Sequence, residues 1–265
     1  MKHLLLTLTC LLLTSTPLLA AVHGSEVTYS DGVQQLKGYI AYDDALSGMR
    51  PGVLVVHEWW GHNDYVRKRA DMLAELGYVA LAVDMYGDGK QADHPDEAGK
   101  FAAEVQKNMG VGRLRFAAGM KLLKEHPKTA PDKIAAIGYC FGGGIVLQMA
   151  RDGLDLKGVV SFHGSLATAS PAEKGKVKAA VLVCNGGDDS FTSMDQIKGF
   201  MQEMIDAGAL LRFNSYPGAR HSFTNPDADR LAAKFSMPIA YNAKADRKSW
   251  LDMQSFLKQV FAEGT

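Results

Sequence analysis

Short runs of continuously apolar residues alternate along this chain with longer stretches in which apolar positions recur every three or four residues. Val53-Leu54-Val55-Val56, Val79-Ala80-Leu81-Ala82-Val83, Lys133-Ile134-Ala135-Ala136-Ile137, the run from Gly158 to Phe162, Ala180-Val181-Leu182-Val183-Cys184 and Leu210-Leu211-Arg212-Phe213-Asn214 read as strands. Helices are expected from about Tyr65 to Leu76 with Gly77 as the cap, in stretches between Asp96 and Lys124, from Gly143 to Ala150, from Met194 to Ala207, and through Trp250 to Phe261. Two earlier strands, near Val27-Thr28-Tyr29 and Leu36-Lys37-Gly38-Tyr39-Ile40, flank Asp31-Gly32 as a hairpin. Strands that are apolar at every position, with helices between them, are buried on both faces. The pattern therefore predicts an α/β fold with a mostly parallel, twisted sheet. In such sheets the chemistry gathers in the loops beyond the carboxyl ends of the strands.

The first 21 residues fall outside this pattern. Lys2 and His3 precede an apolar stretch from Leu4 to Leu19, and Ala20-Ala21 supplies small residues for cleavage. This fits a secretory signal peptide better than a membrane span, so export to a bacterial periplasm is expected, with residues 22–265 as one domain. Cys10 invites a lipoprotein reading, but Thr7-Leu8-Thr9 is a poor lead-in for lipid attachment. Without the segment the chain carries 28 basic and 29 acidic residues. That near balance gives no electrostatic case for a nucleic-acid or membrane-surface partner. Two cysteines remain, Cys140 and Cys184, each expected to end a different strand with a third strand between them. Non-adjacent strands lie roughly 10 Å apart, too far for a disulfide, so Cys184 reads as a small buried hydrophobe.

Cys140 stands in Gly138-Tyr139-Cys140-Phe141-Gly142, a G-x-C-x-G directly after an apolar run. This is the form of a nucleophile elbow, in which a strand turns sharply into a helix and side chains beside the nucleophile would strike neighbouring backbone. The positive end of the following helix favours a thiolate. The alternative is a buried cysteine in a glycine-rich turn. Further along, Asn185-Gly186-Gly187-Asp188-Asp189 and Tyr216-Pro217-Gly218-Ala219-Arg220-His221-Ser222-Phe223 follow successive strands. The order cysteine, aspartate, histidine is that of the α/β-hydrolase triad. A thiol needs a base to take its proton, and the base needs a carboxylate to fix its tautomer. His221 is the candidate base and Asp189 the candidate orienter, with Asp188 competing for that role. In His57-Glu58-Trp59-Trp60-Gly61, after the strand at Val53, the Trp59 amide joins that of Phe141 as a candidate oxyanion-hole donor. Glu58 is out of place beside two tryptophans. Desolvation there favours protonation or a hydrogen bond to a thiol, the alternative being a glutamate on the rim.

The combination of His57-Glu58-Trp59-Trp60-Gly61, Asp84-Met85-Tyr86-Gly87, Gly138-Tyr139-Cys140-Phe141-Gly142-Gly143, Gly186-Gly187-Asp188-Asp189 and His221-Ser222-Phe223 resembles the dienelactone hydrolase family. The resemblance implies an α/β-hydrolase fold, a monomer, and a triad of Cys140, His221 and Asp189. It also implies that Glu58 accepts or holds the thiol proton and so couples thiolate formation to substrate binding. Members that act on dienelactones carry two arginines that hold the substrate carboxylate; this chain has Asp88 and Asn225 at those places. Arg220 and Lys90 lie nearby in sequence. Trp60, Tyr86 and Arg220 are taken as candidate substrate contacts. The expected activity is hydrolysis of a small-molecule ester or lactone through an acyl-cysteine, with no cofactor. No metal is expected either, because the eight histidines show no ligand spacing such as H-E-x-x-H. Two rival readings are a non-catalytic binding protein on the same scaffold and a thiol redox protein using Cys140 with Cys184.

Overall fold

The computed structural model describes residues 22–262, so the expected signal peptide and Cys10 lie outside the described residues. The chain opens with an antiparallel hairpin of β1 (Val22–Ser30) and β2 (Gln35–Asp43). Asp31 closes its turn, its Oδ1 accepting the amides of Val33 at 2.8 Å and Gln34 at 2.7 Å. There follow β3 (Arg50–Val56), α1 (Asp64–Glu75), β4 (Val79–Val83), α2 (Pro95–Lys107), α3 (Met109–Glu125), β5 (Thr129–Tyr139), α4 (Phe141–Arg151) and β6 (Gly158–Phe162). The chain ends with β7 (Ala180–Gly186), α5 (Met194–Ala207), β8 (Leu211–Tyr216), α6 (Ala228–Phe235) and α7 (Ala243–Ala262). The eight strands form one sheet in the order β1-β2-β4-β3-β5-β6-β7-β8, parallel from β4 to β8. This is the mostly parallel sheet that the pattern predicts, in the α/β-hydrolase arrangement that the resemblance implies.

The central strands send alternate side chains to two separate cores, which is why every position in them is apolar. Leu54, Leu81, Ala136, Val159 and Val181 pack with Phe116, Ile145 and Phe200 from α3, α4 and α5. Val53, Ala80, Ala135, Val160 and Leu182 pack on the other face with Val66 and Leu73 of α1 and Met253 and Leu257 of α7.

Two elements differ from expectation. β1 starts at Val22 rather than near Val27, because pairing from Val22↔Asp43 to Ser30↔Gln35 extends it through residues with no apolar run. The helical stretches expected between Asp96 and Lys124 are α2 and α3, separated at Asn108, whose φ of −123° and ψ of 68° leave the helical region. The short α6 is unforeseen. Of its residues only Ala228 is buried, while Leu231 and Phe235, one turn apart, pack toward Trp60.

Candidate active site

Cys140 ends β5 and caps α4 with φ 51° and ψ −114°, in the left-handed half of conformational space. Such a conformation costs a non-glycine residue roughly 1–3 kcal/mol and persists only where its surroundings enforce it. The neighbours explain how. A Cβ on Gly138 would lie 2.1 Å from the Gly142 carbonyl oxygen, and one on Gly142 would lie 2.3 Å from that of Val56. The Gly142 amide also donates to the His57 carbonyl at 3.1 Å, tying the elbow to the end of β3.

Around this elbow the loops after β7 and β8 bring two more expected groups together. His221 Nε2 lies 3.2 Å from Cys140 Sγ, and His221 Nδ1 lies 2.9 Å from Asp189 Oδ2. Asp189 is buried, and its other oxygen accepts the Phe191 amide at 2.9 Å. Asp188 is exposed, so of the two neighbouring aspartates it is Asp189 that meets His221. Burial opposes a charge on His221, but the Cys140 sulfur and the Asp189 carboxylate outweigh it and raise its pKa to about 10.

The β3 loop contributes the two candidate amides and Glu58. The Phe141 N–H opens α4 and the Trp59 N–H lies in the loop; neither donates to an acceptor among the described residues. Both carbonyls flanking Trp59 are pinned. Glu58 O faces His57 Nδ1 at 2.6 Å and accepts the Gly61 amide at 3.1 Å, while Trp59 O accepts the Tyr86 hydroxyl at 3.0 Å. In a trans peptide the Trp59 N–H points opposite the Glu58 carbonyl, so these bonds fix its direction. His57 Nε2 accepts the Met85 amide at 3.3 Å, which leaves Nδ1 as the protonated nitrogen. Burial lowers the His57 pKa to about 4 and keeps the ring neutral. Tyr86 is itself held by Asp84, whose Oδ1 accepts the amides of Tyr86 at 2.9 Å and Gly87 at 2.8 Å.

Glu58 is 2% exposed, so it is no rim residue. Its Oε2 accepts the Asn225 side-chain amide at 2.6 Å, and its Oε1 is buried without a partner. The hydrogen bond to a thiol entertained from sequence is absent, because Asn225 takes the carboxyl instead. Burial raises the Glu58 pKa, against the lowering effects of Asn225 and of the His221 and Arg69 charges.

A cavity of about 810 Å³ opens beside Cys140 and His221. Trp59, Phe141, Ile145, Phe191 and Ile239 are among its walls, and no Asp, Glu, Lys or Arg lines it. Three expected substrate contacts lie elsewhere. Trp60 stacks on Phe235 with ring centroids 6.1 Å apart and faces a separate polar depression. Tyr86 is buried beneath Trp59, and Arg220 is exposed on the outer surface. Asp88, expected near the substrate, accepts the Gln34 side-chain amide at 3.0 Å, away from the cavity. Lys90 lies over the Phe101 ring.

Sequence reasoning missed His163, one residue beyond β6. The Cys140 amide donates both to Phe162 O at 3.0 Å and to His163 Nδ1 at 3.2 Å. His163 Nε2 therefore carries the proton and donates to Thr224 Oγ1 at 2.7 Å. Thr224 meets the Tyr65 hydroxyl at 2.6 Å, and Arg69 donates to Tyr65 at 3.3 Å and to Thr224 O at 2.6 Å. Burial first, then the charges of His221 and Arg69, hold His163 well below the ordinary histidine pKa and so neutral. The available signal was its position: a histidine directly after a central strand, where such sheets keep their chemistry. Cys184 is free and fully buried on β7, with β6 between it and β5. Among the described residues no group of three or more His, Cys, Asp or Glu could hold a metal ion, and no helix is long and apolar enough to cross a membrane.

Comparison with known proteins places the fold in a family. The sequence profile of the dienelactone hydrolase family matches residues 36–261. Protein usf of Aquifex pyrophilus is 31% identical over 207 residues, covering 76% of this chain and 87% of its own length. The solved structure of m3DLH superposes with a TM-score of 0.85 at 34% identity, covering 91% of this chain and 99% of its own. A dienelactone hydrolase-like promiscuous phosphotriesterase from metagenomic libraries gives 0.84 at 33% identity, with the same coverage.

Proposed function

This chain belongs to the dienelactone hydrolase family and is a hydrolase of ester or lactone bonds; on that premise we propose that it cleaves neutral esters or lactones through an acyl-cysteine intermediate. The observation that carries the proposal is the line of contacts from Cys140 Sγ to His221 Nε2 at 3.2 Å and from His221 Nδ1 to Asp189 Oδ2 at 2.9 Å, open to an uncharged cavity.

Cys140 gives its proton to His221, and its sulfur attacks the carbonyl carbon. Asp189 fixes the tautomer of His221 and steadies its cation. The tetrahedral oxyanion is held by the amides of Phe141 and Trp59, the first at the positive end of α4 and the second aimed by His57. When the intermediate collapses, the carbon–oxygen bond breaks and His221 protonates the departing alkoxide. Water, deprotonated by His221, then attacks the thioester; the acid leaves and Cys140 recovers its proton. Burial raises the Glu58 pKa and so opposes a negative charge on that carboxyl. With no Lys or Arg on its walls, the cavity favours neutral substrates over a carboxylate-bearing dienelactone, since neither Arg220 nor Lys90 reaches it.

That same lining supports a second reading, in which neutral phosphotriesters are accepted too, as the phosphotriesterase relative's name suggests for that protein. We further propose that residues 1–21 direct export and are removed. A periplasmic form of the protein whose first residue is Met1 would overturn this. The test of the main proposal is incubation with an activated ester followed by intact-mass measurement. An acyl increment that disappears in Cys140→Ala is expected, and hydrolysis at an undiminished rate by that variant would end the proposal.

A further inference from the structure

The cavity beside Cys140 is larger than cleavage of a compact lactone requires, and α4 reveals its shape. Phe141, Gly144, Ile145 and Gln148 all line it. At i, i+3, i+4 and i+7 they form one stripe, so the cavity follows α4 for two turns, about 10 Å at 1.5 Å per residue. The facing wall is cut back. Gly99, Ala102 and Ala103 of α2 present little side chain to it, and a Cβ added to Gly99 would meet no atom within 4 Å. Small-molecule sites span about 300–1,000 Å³, and 810 Å³ is near the top of that range, equal to about 27 waters at bulk volume.

Gln148, two turns along α4, offers no free donor to a polar terminus, and no Lys or Arg lines the arm. Gln148 is buried, and both its N–H donors are used: Nε2 donates to Asp152 Oδ1 at 3.1 Å and to Ser170 O at 3.3 Å. Its Oε1 accepts the Thr168 hydroxyl at 2.6 Å. The near end is the mouth, where the His221 ring packs on Phe191, 56% exposed, with centroids 4.9 Å apart. A leaving alcohol takes its proton from His221 and so departs at this mouth. The acyl portion is left with the arm along α4.

We infer that this arm is an acyl-chain site, and that the substrate is an ester of a neutral, unbranched apolar acid of about six to eight carbons. With bonds of about 1.5 Å at angles of about 111°, an extended chain advances about 1.25 Å per bond, so such acids span roughly 6 to 9 Å and fit within the arm. The inference rests on the cysteine-hydrolase reading above. It is tested with 4-nitrophenyl acetate, butanoate, hexanoate and octanoate, together with the 4-nitrophenyl half-ester of octanedioic acid, which has the octanoate length but ends in a carboxylate.

Each added methylene is expected to raise kcat/KM about two- to fourfold, for a gain of at least about fiftyfold from acetate to octanoate. The carboxylate-ended ester should fall at least about tenfold below octanoate, because its charge meets no cation. Ala103→Phe, which fills the arm, should cut the octanoate-to-acetate ratio at least about tenfold. Gly99→Leu is the second variant, its side chain entering open space, and thermal melting checks that each folds. A flat or falling chain-length series, equal turnover of the carboxylate-ended ester, or a ratio unmoved in both folded variants would overturn the inference. Intact mass separates this from failure of the parent reading. An acetyl adduct on Cys140 with a flat series removes only the acyl-chain site, whereas no adduct with any ester removes both.

Discussion

Replacing Glu58 by glutamine tests what a buried carboxyl does beside the nucleophile. Glu58 is 2% exposed, one oxygen holds the Asn225 amide at 2.6 Å, and the other has no partner. Burial raises its pKa above the ordinary glutamate value of 4.5, with the His221 and Arg69 charges opposing. Between that ordinary value and the raised one, the folded protein holds a proton that the unfolded chain has released. Stability then falls with rising pH, by about 1.4 kcal/mol per pH unit for one proton, until the folded carboxyl ionises as well. Glutamine does not titrate, so this slope is absent from Glu58→Gln. At acid pH the variant should be the less stable of the two by about 1–3 kcal/mol, because its carboxamide keeps the Asn225 bond but sets an N–H donor where Oε1 has no partner. As pH rises the difference should shrink and then reverse.

The measurement is urea unfolding from about pH 5 to about pH 8, followed by tryptophan fluorescence, with Trp59 beside the substituted residue. Both proteins should carry Cys140→Ala, so that no thiol titrates beside His221 and the remaining His221 titration, common to both, cancels in the difference. A stability difference that is flat across the range, or that moves against the variant as pH rises, would refute the reasoning. It would mean that Glu58 is already ionised in the fold and that His221 and Arg69 outweigh burial.

Cys140→Ala should lower kcat/KM by at least about 10³-fold with the melting temperature kept, while Cys184→Ala, whose thiol burial has pushed up to about 12 and out of reach of solvent, should retain most activity. Equal loss in both would point to dithiol chemistry. His163→Leu removes one of the two acceptors of the Cys140 amide and should cost at least about tenfold in kcat and shift the pH profile of Cys140 alkylation. His163→Asn, which restores an acceptor and tolerates the φ of 40°, should recover much of both. An unchanged alkylation profile in His163→Leu would reduce His163 to packing. Arg220→Ala should leave kcat/KM on neutral esters within about twofold, since Arg220 is exposed and off the cavity. A large loss specific to carboxylate-bearing esters would show that Arg220 reaches the substrate.

The sheet was legible because burial on both faces writes itself directly into the strands: Val53 to Val56 and Val79 to Val83 have no polar position to misread. The elbow was legible because its geometry demands glycine at Gly138 and Gly142, where a Cβ would lie within 2.3 Å of a carbonyl oxygen. Cys140, Asp189 and His221 followed from their order and from lying at strand ends. Substrate contacts were not legible, since proximity in sequence says nothing about which way a side chain faces. Trp60 neighbours Trp59 yet packs on Phe235, and Arg220 neighbours His221 yet points to solvent. The cavity walls come from α2, α4 and the loops after β6 and β7, and no local pattern marks residues as jointly enclosing a space. α6 escaped notice because an eight-residue helix with one buried residue has almost no periodic signal.

Asn225 ties these strands of reasoning together. It stands where dienelactone-cleaving members of the family, by the resemblance drawn from sequence, carry an arginine, and its side-chain amide donates to Glu58 Oε2 at 2.6 Å. An arginine there would place a cation against that carboxyl and hold it ionised. Asparagine supplies an N–H donor with no charge, so burial is left to push Glu58 toward its neutral form. The residue at the place of that arginine therefore also bears on the ionisation of Glu58, whose pKa burial raises. The absent cation is thus tied both to substrate charge and to the Glu58 carboxyl. Restoring the cation with Asn225→Arg should accordingly alter both together, lowering the Glu58 pKa while improving turnover of carboxylate-bearing esters relative to neutral ones. A variant that changed only one of the two would show that they are set independently.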